Sequence, residues 1–113
     1  PADFYLIDAS GSMWNNGWQN WEDVVNASIK PGGKVYLSIM KGCYDGKALG
    51  KITPQGGTEI WWSYWILLDK MKPGQKLVII SDFQSNVPLT SRERVMIDNK
   101  VREKQVEVIS IRP

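Results

Sequence analysis

The sequence predicts an α/β fold: a mostly parallel sheet with one antiparallel edge hairpin and helices on both faces. Three observations carry this. Apolar runs recur at Phe4-Tyr5-Leu6-Ile7, at Val35-Tyr36-Leu37 and at Leu77-Val78-Ile79-Ile80, and unbroken runs suit parallel strands buried on both faces. Segments with helical spacing of apolar residues stand between those runs. Pro-Gly pairs and a capping pattern mark where the segments stop and start. Strand, helix, strand, hairpin, helix, strand, helix, strand within 113 residues implies one domain spanning residues 1–113.

The elements follow in order. Residues 3–8 are a strand, apolar from Phe4 to Ile7. Residues 18–30 form a helix with Trp18, Trp21, Val25 and Ile29 along one face, ended by Pro31-Gly32-Gly33. Residues 34–40 form the second strand. The next segment, 41–57, is rich in glycine, and a short strand near Ala48–Ile52 is expected to pair back antiparallel through a Tyr44-Asp45-Gly46 turn. Residues 59–72 form a helix that is apolar almost all round, ended by Pro73-Gly74. Ile60, Trp61, Tyr64, Trp65, Leu67, Leu68 and Met71 share its broad face, with Trp62 and Ile66 on the opposite side. Residues 76–81 are the third long strand. Thr90-Ser91-Arg92-Glu93 is a capping box, so a helix starts there and runs to about Glu103. Residues 105–111 form the last strand, and Glu107 and Ser110 dilute it as expected at a sheet edge. The arrangement is Rossmann-like, and ligands of such sheets bind outside the carboxyl ends of the strands, at the switch point.

Composition removes several classes of function. Hydrophobic content of 42% with 23% charged residues describes a globular chain and not a disordered one. A net charge of +2, a pI near 8.8 and no clustered Lys or Arg argue against nucleic acid. No apolar stretch is long enough to insert in a membrane. The absence of histidine excludes a Ser-His triad and His-ligated zinc. Cys43 is the single cysteine, so no intramolecular disulfide forms, and a reducing, cytoplasmic setting is expected. The chain begins at Pro1, which reads as a processed or trimmed N-terminus and leaves a removed leader open.

Chemistry concentrates after the first strand, in Asp8-Ala9-Ser10-Gly11-Ser12. A carboxylate at a strand end is followed by two hydroxyls spaced by two on a loop loosened by Gly11. Hard oxygen donors on one short loop suit a hard divalent cation such as Mg²⁺. Thr58 follows the pair Gly56-Gly57, which lets backbone approach a ligand, and Asp82 closes the strand at residues 76–81. Taken together, Asp8, Ser10, Ser12, Thr58 and Asp82 resemble the metal-ion-dependent adhesion site of von Willebrand factor A domains.

The resemblance spans Asp3 to about Ile111. It implies that Ser10, Ser12 and Thr58 ligate the metal directly, and that Asp8 and Asp82 act mostly through water and hold the hydroxyls in place. Mg²⁺ is the expected ion, with Mn²⁺ and Ca²⁺ as alternatives. Such a site is a docking point for an Asp or Glu of a partner protein, in adhesion or in assembly, and not an enzyme. Three departures stand out. The chain is short, with no residues for the last strand and helix of the family. Phe83 follows Asp82 where the family often has Gly. The helix-rich insertions of large adhesion receptors are absent.

Two other functions compete. A Mg²⁺-dependent phosphohydrolase of the haloacid dehalogenase type needs a second Asp two residues after the first, where this chain has Ser10, and no general base is evident. A metal-free scaffold domain has no need of five intact ligand residues. Among the remaining residues, Met13 and Trp18 read as packing for the loop, and Trp14 is open between packing and partner contact. Asp45 and Asp69 read as solvated, and Cys43 lacks an adjacent base. Trp62 and Ile66, off the core stripe, are expected either to form a self-association or second-partner surface or to be covered by residues 41–57.

Overall fold

The computed structural model describes residues 2–9, 33–39, 42–45, 60–81, 83 and 89–111. Five strands and two helices form among them: β1 (Phe4–Asp8), β2 (Lys34–Ile39), β3 (Gly42–Asp45), α1 (Ile60–Lys70), β4 (Lys76–Ile80), α2 (Ser91–Lys104) and β5 (Glu107–Ile111). The sheet order is β3-β2-β1-β4-β5. β2, β1, β4 and β5 are mutually parallel, and β3 runs antiparallel to β2 at one edge. This is the α/β architecture that the apolar runs predict.

The hairpin differs from the expectation. Tyr44 and Asp45, expected in a turn, lie in β3 and pair with Leu37 and Tyr36, and the register opens at Ile39 with Gly42. The antiparallel segment therefore comes earlier than Ala48–Ile52, which lies outside the described residues. Four-residue β3 carries no alternating pattern, so the Asp-Gly signal at Asp45-Gly46 outweighed it in the sequence. The helix expected over residues 18–30 also lies outside the described residues.

β1 is the centre. All five of its residues are buried, and side chains alternate between the two faces of the sheet. On one face Phe4, Leu6, Leu77 and Ile79 pack with Ile60, Tyr64, Leu67, Leu68 and Met71 from α1 and its end, and with Ile97 of α2. Full burial of each such aliphatic or aromatic side chain contributes about 1.5–3 kcal/mol. On the other face Tyr5, Ile7, Leu37, Val78 and Ile80 are buried as well. Gly33 is required where it stands: a Cβ there would meet Cε2 of Tyr5 at 2.5 Å and the Ala2 carbonyl at 2.7 Å.

Local chemistry sets the element ends. Lys72-Pro73-Gly74-Gln75 is a turn closed by the Gln75 N–H on the Lys72 carbonyl at 3.2 Å, with Gly74 at φ 85°, as a type II turn requires of its third residue. α2 starts on the expected capping box: the Glu93 N–H donates to Thr90 Oγ1 at 3.1 Å, and the Thr90 N–H returns to the Glu93 carboxylate at 3.2 Å. The Thr90 hydroxyl also donates to the Glu93 carboxylate at 2.8 Å; that bond first, and the Thr90 N–H second, hold the Glu93 carboxyl below its ordinary range. At the far end Gln105 turns left-handed at φ 56° and closes the helix.

α1 and α2 are joined by a clasp that gives Asp69, exposed as expected, a partner that no spacing in the sequence suggests. Asp69 pairs with Lys100 of α2, and the Lys100 ammonium sits 3.7 Å over the Trp65 ring. Lys104 reaches the carbonyls of Asp69 and Met71 at 3.4 and 3.3 Å, placing a cation at the negative end of α1. Trp62 is 54% exposed, as its wheel position suggests, whereas Ile66 is half-buried. No helix among the described residues is long and apolar enough to cross a membrane.

Candidate functional site

The order of strands reverses between β1 and β4: the chain passes from β1 outward to β2 and β3 on one side, then to β4 and β5 on the other. Their carboxyl ends therefore flank a switch point. Asp8 closes β1 there and is fully buried. Ser81 follows the last residue of β4, and its Oγ donates to Asp8 Oδ2 at 2.5 Å. The Ser81 backbone is itself fixed, since its N–H donates to the Ile111 carbonyl at 3.1 Å.

On the other side of Asp8, the register sets Ser38 of β2 beside it. The Ala9 N–H donates to the Ser38 carbonyl at 3.0 Å. The Ser38 and Ser63 hydroxyls lie 2.8 Å apart and share a hydrogen bond, which ties α1 to the sheet. Among the described residues, the buried polar side chains are Asp8, Ser38, Ser63 and Ser81. All four gather at this one end of the sheet. Buried polar groups are costly without partners, and here each has one.

The segment beyond β4 turns on the same serine. The Phe83 N–H donates to Ser81 Oγ at 2.9 Å. Phe83 has φ 57°, a left-handed conformation that glycine adopts freely and a bulky residue adopts at a cost. Phe83 is retained by packing: its ring lies 5.4 Å from that of Trp61 on α1.

Of the five expected ligands, the structure places Asp8 at the switch point. Ser10, Ser12, Thr58 and Asp82 lie outside the described residues. Among the described residues no three His, Cys, Asp or Glu side chains converge, and a set dominated by hydroxyls does not need them to. Among the described residues this end of the sheet offers oxygen, the Asp8 carboxylate and the hydroxyls of Ser38, Ser63 and Ser81, the donor type that hard cations take.

Ser38, Ser63 and Ser81 were missed by sequence reasoning. A signal for each was present, because each is a lone hydroxyl inside an otherwise apolar run: Tyr36-Leu37-Ser38-Ile39, Trp61-Trp62-Ser63-Tyr64 and Ile79-Ile80-Ser81. A groove of about 540 Å³, lined by Trp65, Met96, Asn99, Lys100, Glu103 and Lys104, lies between the helices and holds none of these residues. No family model, no curated protein and no solved structure matches the chain.

Proposed function

We propose that this domain is a metal-dependent protein-binding module, serving adhesion or assembly and not catalysis. A divalent cation, Mg²⁺ with Mn²⁺ and Ca²⁺ as alternatives, is held at the carboxyl end of the sheet, and an Asp or Glu of a partner protein completes its coordination. The observation that supports this most is Asp8: a fully buried carboxylate at the switch point, held by the Ser81 hydroxyl, whose chain continues into Ser10 and Ser12. Ser10, Ser12 and Thr58 would hold the ion directly. Asp8 and Asp82 would supply negative charge and orient the hydroxyls.

The physical logic is one of unfinished charge. Mg²⁺ prefers six oxygens, and neutral hydroxyls leave it a net positive centre. A carboxylate arriving from outside is then favoured over water. In this reading the cation supplies a Lewis-acidic contact for a partner and nothing more. The single Cys43 fits a reducing, cytoplasmic setting.

The test is binding of a captured partner with and without EDTA. Binding should vanish with chelator, return with Mg²⁺, and be lost when one acidic residue of the partner is replaced. A partner whose affinity ignores EDTA would overturn the docking mechanism. Exposed Trp62 supports a separate proposal, self-association through Trp62 and Ile66. Trp62→Glu should abolish any dimer seen by sedimentation, and a monomeric wild type would dismiss it.

A further inference from the structure

We infer that Ser81 is the positioning residue of the candidate metal centre, holding the Asp8 carboxylate from the neighbouring strand. The inference rests on the cation reading above and concerns a residue outside the expected ligand set. Its basis is geometric. Ser81 Oγ donates to Asp8 Oδ2 at 2.5 Å and accepts the Phe83 N–H at 2.9 Å. One bond crosses from β4 to β1 and fixes which way the Asp8 carboxylate faces. The other holds the backbone at Phe83 against the same hydroxyl.

Each bond uses a different capacity of the hydroxyl, one as donor and one as acceptor. The group is fully buried, so water does not replace either bond. The Ser81 backbone is pinned by the Ile111 carbonyl, which leaves the side chain few ways to reorient. The backbone is strained at Phe83, with φ 57°, and such strain persists only where its surroundings over-determine it. The Phe83 N–H bond to Ser81 and the Phe83–Trp61 ring contact do that here. Without the Ser81 hydroxyl, the Asp8 carboxylate loses a donor and the Phe83 N–H loses its acceptor. The Asp8 carboxylate then loses its fixed orientation while the apolar strands stay in place.

The experiment is Mn²⁺ titration at 25 °C, by calorimetry, of wild type, Ser81→Ala, Ser81→Thr and Ser81→Val. Circular dichroism verifies that each variant is folded at that temperature. Thr and Val have nearly the same shape and differ by the hydroxyl, so their ratio reads the hydroxyl alone even where Ala alters packing. Losing one hydrogen bond to a charged group corresponds to roughly tenfold or more in an equilibrium constant. Ser81→Ala and Ser81→Val should therefore bind Mn²⁺ at least tenfold more weakly, with Ser81→Thr close to wild type. Equal affinity for Ser81→Thr and Ser81→Val, with wild type binding normally, would overturn the role of Ser81 and leave the cation reading intact. No binding by wild type would overturn the cation reading and this inference with it.

Discussion

Replacing Asp8 by Asn separates a charge built for a cation from a charge built into the fold. Asn has nearly the same shape, and its side-chain oxygen still accepts the Ser81 hydroxyl that now lies 2.5 Å from Oδ2. The hydrogen bond falls from charge-assisted to neutral, a loss of about 1 kcal/mol. Against this, the carboxylate is fully buried, and an ion in that position carries a desolvation penalty of several kcal/mol. In EDTA the Asp8→Asn variant should therefore be more stable than wild type, by about 1–2 kcal/mol, or an increase in Tm of about 4 °C or more for a domain of this size. With Mn²⁺ at about a hundred times its Kd the order reverses, because wild type gains about 2.7 kcal/mol and the variant gains nothing. Thermal melts in both buffers read the crossing directly. If Asp8→Asn lost 2 kcal/mol or more in EDTA, the carboxylate would be held by charges of the protein itself, and the cation reading would lose its basis.

Gly33→Ala should cost about 1–3 kcal/mol by denaturant unfolding, since the new methyl lands 2.5 Å from the Tyr5 ring and 2.7 Å from the Ala2 carbonyl. Glu93 has its carboxyl lowered from 4.5 by the bonds to Thr90, so its contribution is present above that pH and fades as pH falls through the lower folded value. Glu93→Gln should flatten the acid limb of stability below about pH 4.5, and an unchanged limb would dismiss the capping box as its source. Tyr64 is pushed up to about 12 by burial and then by Asp98, so stability should fall as pH rises above 10, where the unfolded chain ionises first. Tyr64→Phe should remove that slope in alkaline melts.

What was legible in the sequence was what is local or continuous. β1 and β4 announce themselves because strands buried on both faces have no polar break, and Thr90 with Glu93 marks the start of α2 within four residues. β3 was misplaced because Gly42-Cys43-Tyr44-Asp45 has neither alternation nor length, and its identity comes from pairing with β2. Asp69 is exposed as the sequence suggests, but its partner Lys100 stands on another helix, beyond any spacing rule. Half-buried Ile66 shows the limit of a helical wheel, which gives the side of a helix and not its neighbours.

The site divides along the same line. Asp8 is visible as a carboxylate ending an apolar run. Ser38, Ser63 and Ser81 come from β2, α1 and the residue after β4, and only the folded sheet sets Ser38 beside Asp8, pairs it with Ser63 and brings the Ser81 hydroxyl to the Asp8 carboxylate. A serine in an apolar run reads as a weakened strand or helix until its partner is known. The lesson from Ser81 is concrete: a hydroxyl just past a buried strand can orient a carboxylate that closes the neighbouring strand.

The most direct measurement is a calorimetric Mn²⁺ titration of wild type beside the Ser10→Ala/Ser12→Ala double variant, with circular dichroism of both. One saturable site in wild type, absent in a double variant that keeps its fold, is the predicted result. No heat of binding in wild type, or the same isotherm in both proteins, would contradict a metal centre built on Asp8, Ser10 and Ser12.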